Sequence, residues 1–159
     1  MDFQTADLSD EYTDITQVAQ PIFQAYGLHN KFMGEIVTIK CHEDNSLVRE
    51  VLSEKGEEKV LVVDGGGSLR CALVGDQIAT LAVNNGWAGI IVYGCIRDSA
   101  AINQMPIGIR ALNTLPLKSV KKGFGEKNLV VNFAGVRFEP RHYLYADEDG
   151  ILVAPKDLL

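Results

Sequence analysis

Two short segments of the chain carry the side chains best suited to chemistry. Residues 73–78 read Leu-Val-Gly-Asp-Gln-Ile, and residues 93–98 read Tyr-Gly-Cys-Ile-Arg-Asp. Arg97 offers a planar guanidinium that can hold a carboxylate or a keto oxygen through paired hydrogen bonds. Asp98 could ligate a hard divalent cation, most simply Mg²⁺, while water fills the other octahedral positions. These residue types predict a site for a small anionic molecule beside a divalent metal ion.

The elements around these segments would bring them to one edge of a sheet. Residues 60–63 and 89–94 are short apolar runs, typical of strands buried on both faces. The apolar periodicity between them predicts a helix over residues 76–84, which makes the unit a βαβ with parallel neighbouring strands. The N–H groups of residues 75–78 would then form a cradle for a carboxylate at the start of this helix. The arginine and aspartate of the second segment would end at the same edge, where open α/β folds bind their ligands.

A purely structural interpretation of these residues stays open at this point. Asp76 could cap the helix, and Arg97 with Asp98 could begin another helix with a local ion pair. The glycines at 65–67 do not decide the matter, because no Gly-Lys-Ser/Thr follows them as in a Walker loop. A dinucleotide fingerprint is also absent, since it requires glycine where this chain has Arg70. The glycines predict a tight turn, with a binding loop as the alternative.

Composition and charge limit the classes of partner. The chain has 159 residues, 47% of them hydrophobic and 23% charged, as expected for one domain spanning residues 1–159. Its net charge of -6 disfavours nucleic acid. The basic cluster Lys118, Lys121 and Lys122 is interpreted as a solvated loop face. With no signal peptide, no apolar run long enough for a membrane span and three widely spaced cysteines, a soluble cytoplasmic protein is expected.

The rest of the sequence predicts a mixed fold. Short helices are expected from Asp7 or Ser9, over residues 21–27, and after Asn45 as its cap. Strands are expected over residues 33–41, 106–112, 129–138 (a pair), 143–146 and 151–154, and residues 147–150 are interpreted as a hairpin turn between the last two. The fold class is therefore α/β, with a central βαβ unit and a strand-rich C-terminal half.

The site residues also resemble a known family. Asp76, twenty intervening residues and then Arg97 and Asp98 match the Asp-x20-Arg-Asp pattern of the class II 4-hydroxy-4-methyl-2-oxoglutarate aldolases. This family shares its fold with the regulators of ribonuclease E activity A, and the two form the RraA-like proteins. Further segments similar to the family's signatures are residues 62–70, 72–76, 85–89 and 145–153. The resemblance extends from about Thr5 to the end of the chain.

The resemblance implies a fold, an assembly and residue roles. The fold is a swivelling α/β/β/α sandwich, and the assembly is a homotrimer. Substrate contacts are implied for Gly75, Asp76, Gln77 and Ile78. Arg97 would bind the substrate, and Asp98 would hold the divalent cation, Mg²⁺ or Mn²⁺.

The expected activity is retro-aldol cleavage of 4-hydroxy-4-methyl-2-oxoglutarate, a small 2-oxo acid, into two molecules of pyruvate. A metal ion would act as a Lewis acid, and Arg97 would stabilise the negative charge that collects on the keto oxygen. Oxaloacetate decarboxylation is expected as a side activity because it produces the same pyruvate enolate. The base that removes the C4 hydroxyl proton stays open between a metal-bound water and Asp76, the latter only if it reaches the substrate. Arg70 is a candidate for binding the distal carboxylate.

A non-catalytic role is the alternative. The chain would then bind ribonuclease E and inhibit it, independently of the site residues. Family members named for that regulation can lack the acidic residue after the arginine, so the presence of Asp98 favours the enzyme.

Overall fold

Four parallel strands form the centre of the computed structural model, which describes residues 2–159 of the chain. The helices are α1 (Thr5–Glu11), α2 (Ser46–Leu52), α3 (Asp76–Asn84) and α4 (Ser99–Ile102). The strands are β1 (Gln17–Val18), β2 (Gln24–Tyr26), β3 (Phe32–Lys40), β4 (Val60–Asp64), β5 (Ala72–Val74), β6 (Gly89–Ile96), β7 (Gly108–Thr114), β8 (Glu126–Lys127), β9 (Val131–Phe133), β10 (Val136–Phe138), β11 (Tyr143–Asp147) and β12 (Gly150–Ala154). Hydrogen bonds join them in the order β1-β12-β11-β3-β4-β6-β7-β2, with β5 beside β6, β8 beside β3, and β9 and β10 as a separate pair.

The central βαβ unit predicted from the sequence is confirmed. β4 and β6 are parallel neighbours, and α3 lies between them in the chain. All five residues of β4 are buried, as expected for a strand that is covered on both faces. α3 has the predicted bounds, and Gly86 follows it with a φ of 77°, a left-handed conformation that ends many helices. β3 and β7 flank this pair, also in parallel, so four strands end at one edge of the sheet.

The glycines after β4 form a tight turn, as predicted. The N–H groups of Gly65 and Gly67 both donate to Tyr93 O, at 3.1 and 3.0 Å. A Cβ on Gly65 would lie only 2.8 Å from the same oxygen, so the close approach requires glycine. After this turn the chain forms β5, which pairs in parallel with the last residues of β6. The sequence pattern did not indicate β5. The carboxyl ends of β5 and β6 therefore lie side by side.

The layers follow the expected α/β/β/α order. α2 and α3 cover one face of the parallel strands, with Leu52 and Ile78 in the shared core. On the other face, side chains of the parallel strands meet those of β11, β12 and the β9-β10 pair. Alternate residues of the β11-β12 hairpin point outward, where Tyr145 and Leu152 pack against Leu8 of α1.

The N-terminal region differs from the sequence prediction in two places. The helix expected over residues 21–27 is wrong, because that segment contains β2, which pairs with β7. Pairing with β7 satisfies backbone groups that an edge strand would otherwise leave open, and this outweighs the weak helical signal of Pro21. α1 begins at Thr5, before the expected caps, because Asp147 accepts the Thr5 N–H at 2.7 Å.

The second half is rich in strands, as predicted. β9 and β10 are joined by Ala134 and Gly135, which have φ values of 52° and 73°. β11 and β12 form the second hairpin, across the predicted turn. Among residues 2–159, no helix combines the length and the apolar character that a bilayer span requires.

Candidate functional site

The two segments singled out by their chemistry meet at the carboxyl edge of the sheet. The Arg97 N–H donates to Val74 O at 2.9 Å, which continues the pairing of β5 with β6. Directly after these two strands, the Asp76 N–H donates to Asp98 Oδ2 at 3.0 Å. A Cβ on Gly75 would lie 2.8 Å from that carboxylate oxygen and 3.5 Å from Arg97 Nε. Glycine at this position therefore lets both side chains approach the start of α3.

Asp98 has an unusual backbone conformation. Its φ and ψ are 58° and 38°, the left-handed region that aspartate tolerates better than most residues. It precedes α4 without capping it, and its carboxylate turns back towards α3. The structural interpretation is confirmed in part, because α4 begins directly after Asp98. The Asp98 carboxylate, however, bonds to the start of α3, and Asp76 is the first residue of α3 rather than its cap. Arg97 is half-buried, and its Nη1 donates to Pro116 O at 3.4 Å, which ties it to the segment after β7.

A cavity of about 150 Å³ lies at this edge. It is lined by all six residues predicted from the sequence: Gly75, Asp76, Gln77, Ile78, Arg97 and Asp98. The other lining residues are Asn45, Arg49, Ala72, Lys118, Ser119 and Lys121. Drug-sized ligands occupy roughly 300–1,000 Å³, so this cavity suits a smaller molecule. The side chain of Ile78 belongs to the core, which leaves its main chain to face a ligand.

The cavity is positively charged in an acidic protein. Arg49, Arg97, Lys118 and Lys121 supply four cations against the two carboxylates of Asp76 and Asp98, a surplus of two positive charges in a chain of net charge -6. Such a local surplus attracts small anions. Lys118 and Lys121 are exposed, as the predicted solvated loop face requires. They also line the cavity, which the sequence pattern did not indicate.

Asn45 is a further cavity residue that the sequence pattern does not reveal. It is predicted to cap α2, but its side chain makes no capping bond and its Nδ2 instead donates to Leu73 O at 3.2 Å. Within residues 2–159, Asn45 Oδ1 is the one buried side-chain oxygen or nitrogen without a hydrogen-bond partner. A buried acceptor of this kind is costly unless a donor reaches it. A ligand hydroxyl in the cavity could be that donor.

Two other side chains near the sequence motifs lie outside the cavity. Arg70 does not line it, and its Nε donates to Glu43 Oε2 at 2.6 Å. The cavity therefore gives no support to the expectation that Arg70 binds a distal carboxylate. Cys95 is almost fully buried, and burial raises the pKa of its thiol, so it acts as a packing residue.

The donor set of the cavity fits a magnesium ion better than a transition metal. Asp76 and Asp98 are its two carboxylates, and residues 2–159 contain no group of three or more His, Cys, Asp or Glu side chains placed to hold a metal. Mg²⁺ commonly binds through one or two carboxylates and completes its shell with water and substrate oxygens. Asp98 would be a ligand of such a cation, and its Oδ2 also accepts the Asp76 N–H.

Comparison with known proteins identifies the family of the chain. A family model described as "RraA-like: Aldolase/RraA" matches residues 5–153. A relative from Laribacter hongkongensis, provisionally named 4-hydroxy-4-methyl-2-oxoglutarate aldolase, is 61% identical over 159 residues, all of both chains. A crystal structure from Geobacillus kaustophilus, named S-adenosylmethionine:2-dimethylmenaquinone methyltransferase, superposes with a TM-score of 0.96 at 52% identity, covering 98% of this chain and 97% of the other. The structure of the RNA-processing inhibitor RraA from Thermus thermophilis also gives a TM-score of 0.96, at 43% identity, covering 100% of this chain and 96% of that one. The chain therefore belongs to the RraA-like family.

Proposed function

We propose that this chain is a divalent-metal-dependent aldolase that cleaves 4-hydroxy-4-methyl-2-oxoglutarate into two molecules of pyruvate. One observation carries the proposal: a small cavity with a surplus of positive charge holds a guanidinium and a carboxylate at the start of α3. The substrate is a dianion with a keto group, and these are the features that such a cavity would recognise. The provisional names of full-length relatives agree with this substrate.

The 2-oxo acid end of the substrate would lie at the start of α3. The free N–H groups there would face the C1 carboxylate, while Arg97 would face the keto oxygen. When the bond between C3 and C4 breaks, its electron pair moves onto the keto oxygen and gives an enolate, which Arg97 stabilises. Protonation at C3 then yields one pyruvate, and loss of the C4 hydroxyl proton yields the other. Mg²⁺ or Mn²⁺ held by Asp98 would supply Lewis-acid chemistry at the keto oxygen.

Asp76 is the proposed acceptor of the C4 hydroxyl proton. Its side chain is exposed in the cavity, while its main chain holds Asp98. A carboxylate in this position could take the proton directly or through one water. The same enolate forms when oxaloacetate loses carbon dioxide, so the site should decarboxylate oxaloacetate as a side activity.

Lysine chemistry is not part of the proposal. Lys118 and Lys121 line the cavity, but both are exposed to water, whereas the amine of a Schiff-base aldolase must be desolvated. Borohydride treatment in the presence of pyruvate is therefore expected to leave the protein mass unchanged. A mass increase located at either lysine would refute this part.

The methyltransferase name of one similar structure suggests a different reaction. We favour the aldolase, because the full-length relatives at 60–61% identity carry that name, whereas the methyltransferase name belongs to a structure at 52% identity. A second candidate is the regulator role, supported by the likeness to the Thermus inhibitor. In that role the chain would bind and inhibit ribonuclease E through a surface that does not need Asp98. A homotrimer and a cytoplasmic location belong to the same proposal.

The test measures pyruvate release from 4-hydroxy-4-methyl-2-oxoglutarate and from oxaloacetate with lactate dehydrogenase and NADH. We expect release with MgCl2, loss with EDTA and recovery when excess MgCl2 is added. Asparagine, like aspartate, tolerates the left-handed backbone conformation of this position. Asp98→Asn should nevertheless lower kcat/KM by about 100-fold to 1,000-fold, since a metal contributes several kcal/mol of charge stabilisation. Asp10→Asn, on the exposed side of α1, is the control and should behave as wild type. No pyruvate from either acid with metal present would refute the aldolase, and inhibition of ribonuclease E that survives Asp98→Asn would support the regulator.

A further inference from the structure

The loop that brings two lysines to the cavity has little structure of its own. Residues 115–125 connect β7 to β8 without a helix or a strand. Of this loop only Ser119 is buried, while Lys118 and Lys121 are exposed. A loop with so few buried side chains is held in place mainly by its backbone hydrogen bonds. The partners of those bonds decide where the two ammonium groups lie.

Two of those bonds end at one buried carboxylate. Asp44, in the turn before α2, is only 4% exposed. Its Oδ2 accepts the N–H groups of Lys122 at 2.8 Å and Phe124 at 3.1 Å. Its Oδ1 accepts the N–H of Ser46 at 2.9 Å and the hydroxyl of Ser46 at 2.6 Å. One side chain thus joins the loop after β7 to the start of α2.

Other bonds also attach the loop. Beside Lys118, the Ala72 N–H of β5 donates to Leu117 O at 2.8 Å, and Ala72 and Lys118 form an isolated β-bridge. Nearer to Asp44, its neighbours make three longer bonds. The Val120 N–H donates to Glu43 O, and the Asn45 N–H donates to Ser119 Oγ, both at 3.2 Å. The Gly123 N–H donates to the Ser46 hydroxyl oxygen, also at 3.2 Å. These bonds are longer than those to Asp44 and involve neutral groups, so the carboxylate makes the strongest contacts of the set.

Asp44 is ionised when it makes these contacts. Burial by itself would raise its pKa, but the hydrogen bonds from Ser46, Phe124 and Lys122 outweigh burial and lower the pKa to about 2. The charge is therefore present at any pH at which the protein would act. Its position behind the loop, outside the cavity lining, keeps it away from the substrate itself.

We propose that Asp44 is a positioning residue that holds Lys121 at the cavity, so that its ammonium group, beside that of Lys118, meets the distal carboxylate of a dicarboxylic 2-oxo acid. This rests on the proposed function, because it takes the start of α3 and Arg97 as the place of the 2-oxo acid end. Asp44 then governs the preference for two carboxylates over one. The catalytic groups at the ends of β5 and β6 make no hydrogen bond to Asp44.

The test compares the binding of 2-oxoglutarate, which has two carboxylates, with that of pyruvate, which has one. Both are titrated by calorimetry in MgCl2 into the wild type, Asp44→Asn and the control Asp10→Asn. Asp44→Asn keeps the size of the side chain but replaces one carboxylate oxygen, an acceptor, by an amide NH2 group, a donor. This NH2 group then faces a backbone N–H, so that hydrogen bond is lost. Loss of one charge-assisted hydrogen bond predicts a Kd for 2-oxoglutarate raised about tenfold, with the Kd for pyruvate changed less than about twofold. Hydrogen exchange over residues 115–125 should become faster in Asp44→Asn and stay unchanged in Asp10→Asn.

Two outcomes with Asp44→Asn would overturn the inference. The first is a Kd for 2-oxoglutarate that does not change in Asp44→Asn. The second is an equal weakening for both acids, which would indicate a general loss of structure. Lys121→Gln provides an independent variant should Asp44→Asn fold poorly. It should weaken 2-oxoglutarate alone, and a Kd equal to that of the wild type would overturn the inference as well. Failure of the proposed function is seen separately, as absence of pyruvate release from the wild type.

Discussion

Gly75→Ala isolates the contact between the start of α3 and the Asp98 carboxylate. Gly75 has an extended backbone, with φ -119° and ψ -169°, which alanine adopts without strain. The new methyl group would lie 2.8 Å from Asp98 Oδ2, whereas carbon and oxygen in close contact normally lie about 3.3–3.6 Å apart. The carboxylate must therefore move by roughly 0.5 Å or more. Functional side chains must stay within about 0.5 Å of their productive position, so this movement is large enough to matter.

That movement predicts a large loss of activity and a small loss of stability. It weakens the bond from the Asp76 N–H, and misplacement by about 1 Å can lower a rate by about 100-fold. We expect kcat/KM for pyruvate release to fall by about 10-fold to 100-fold and the Mg²⁺ concentration for half-maximal rate to rise. The free energy of unfolding should change by less than about 1 kcal/mol, because the displaced atom ends a short exposed side chain.

Gly86→Ala is the matched control, since it has the opposite properties. Gly86 has a φ of 77°, and a Cβ there would meet no atom within 4 Å. Alanine in this conformation should lower the free energy of unfolding by about 1–2 kcal/mol and leave kcat/KM unchanged. Denaturant unfolding and the coupled pyruvate assay measure both quantities. Wild-type kcat/KM in Gly75→Ala would show that the contact between α3 and Asp98 does not matter for the reaction.

Three further predictions concern the stability of the fold and the burial of its cysteines. Asp147 accepts the Thr5 N–H and hydroxyl, both at 2.7 Å; burial tends to raise its pKa, but these bonds and those of its turn lower it overall. Because the folded pKa is depressed, Asp147→Asn should reduce the free energy of unfolding above about pH 5, and the difference should shrink as the pH falls below about 4; a difference that grows in acid would contradict this. The buried hydroxyl of Tyr145 accepts the Leu158 N–H at 2.7 Å and donates to Asp157 at 3.0 Å, so Tyr145→Phe should lower the free energy of unfolding by about 1–3 kcal/mol and speed hydrogen exchange over residues 157–159; unchanged exchange there would refute the role of the hydroxyl. The three cysteines are buried, and burial raises the pKa of each thiol. The native protein should therefore not react with Ellman's reagent, whereas three thiols should react in guanidinium chloride. Rapid labelling of the native protein would contradict their burial.

The sequence predicts those parts of the fold in which local pattern and tertiary role agree. Residues 76–84 have helical periodicity and a closing glycine, and they form α3 with the predicted bounds. The hairpin of β11 and β12 follows equally from its turn residues and alternation. β1, β2, β5 and β8 have two or three residues each, too few for a periodic signal, and they exist because a long-range partner satisfies their backbone groups. Local pattern therefore cannot reveal them.

The candidate site divides in a similar way. Residues 75–78 and 97–98 were identifiable because they follow two strands of one βαβ unit. Asn45 lies in a helix-start pattern and Lys121 in a basic loop, and each has an ordinary local explanation. Only the three-dimensional fold brings them within one cavity.

Asn45 and Lys121 both follow parallel strands, and ligands of open α/β sheets bind at the edge where such strands end. β3, β4, β6 and β7 are all parallel, so the segments that follow each of them end at the same edge. The β3–α2–β4 stretch is itself a βαβ unit in the sequence, which marks residues 41–49 as candidates alongside residues 75–78. The inner segments, which follow β5 and β6, bring the groups proposed for chemistry. The outer segments, which follow β3 and β7, bring Arg49, Lys118 and Lys121. This division implies that substitutions in the outer segments change which acid binds, while those in the inner segments change whether the bound acid reacts.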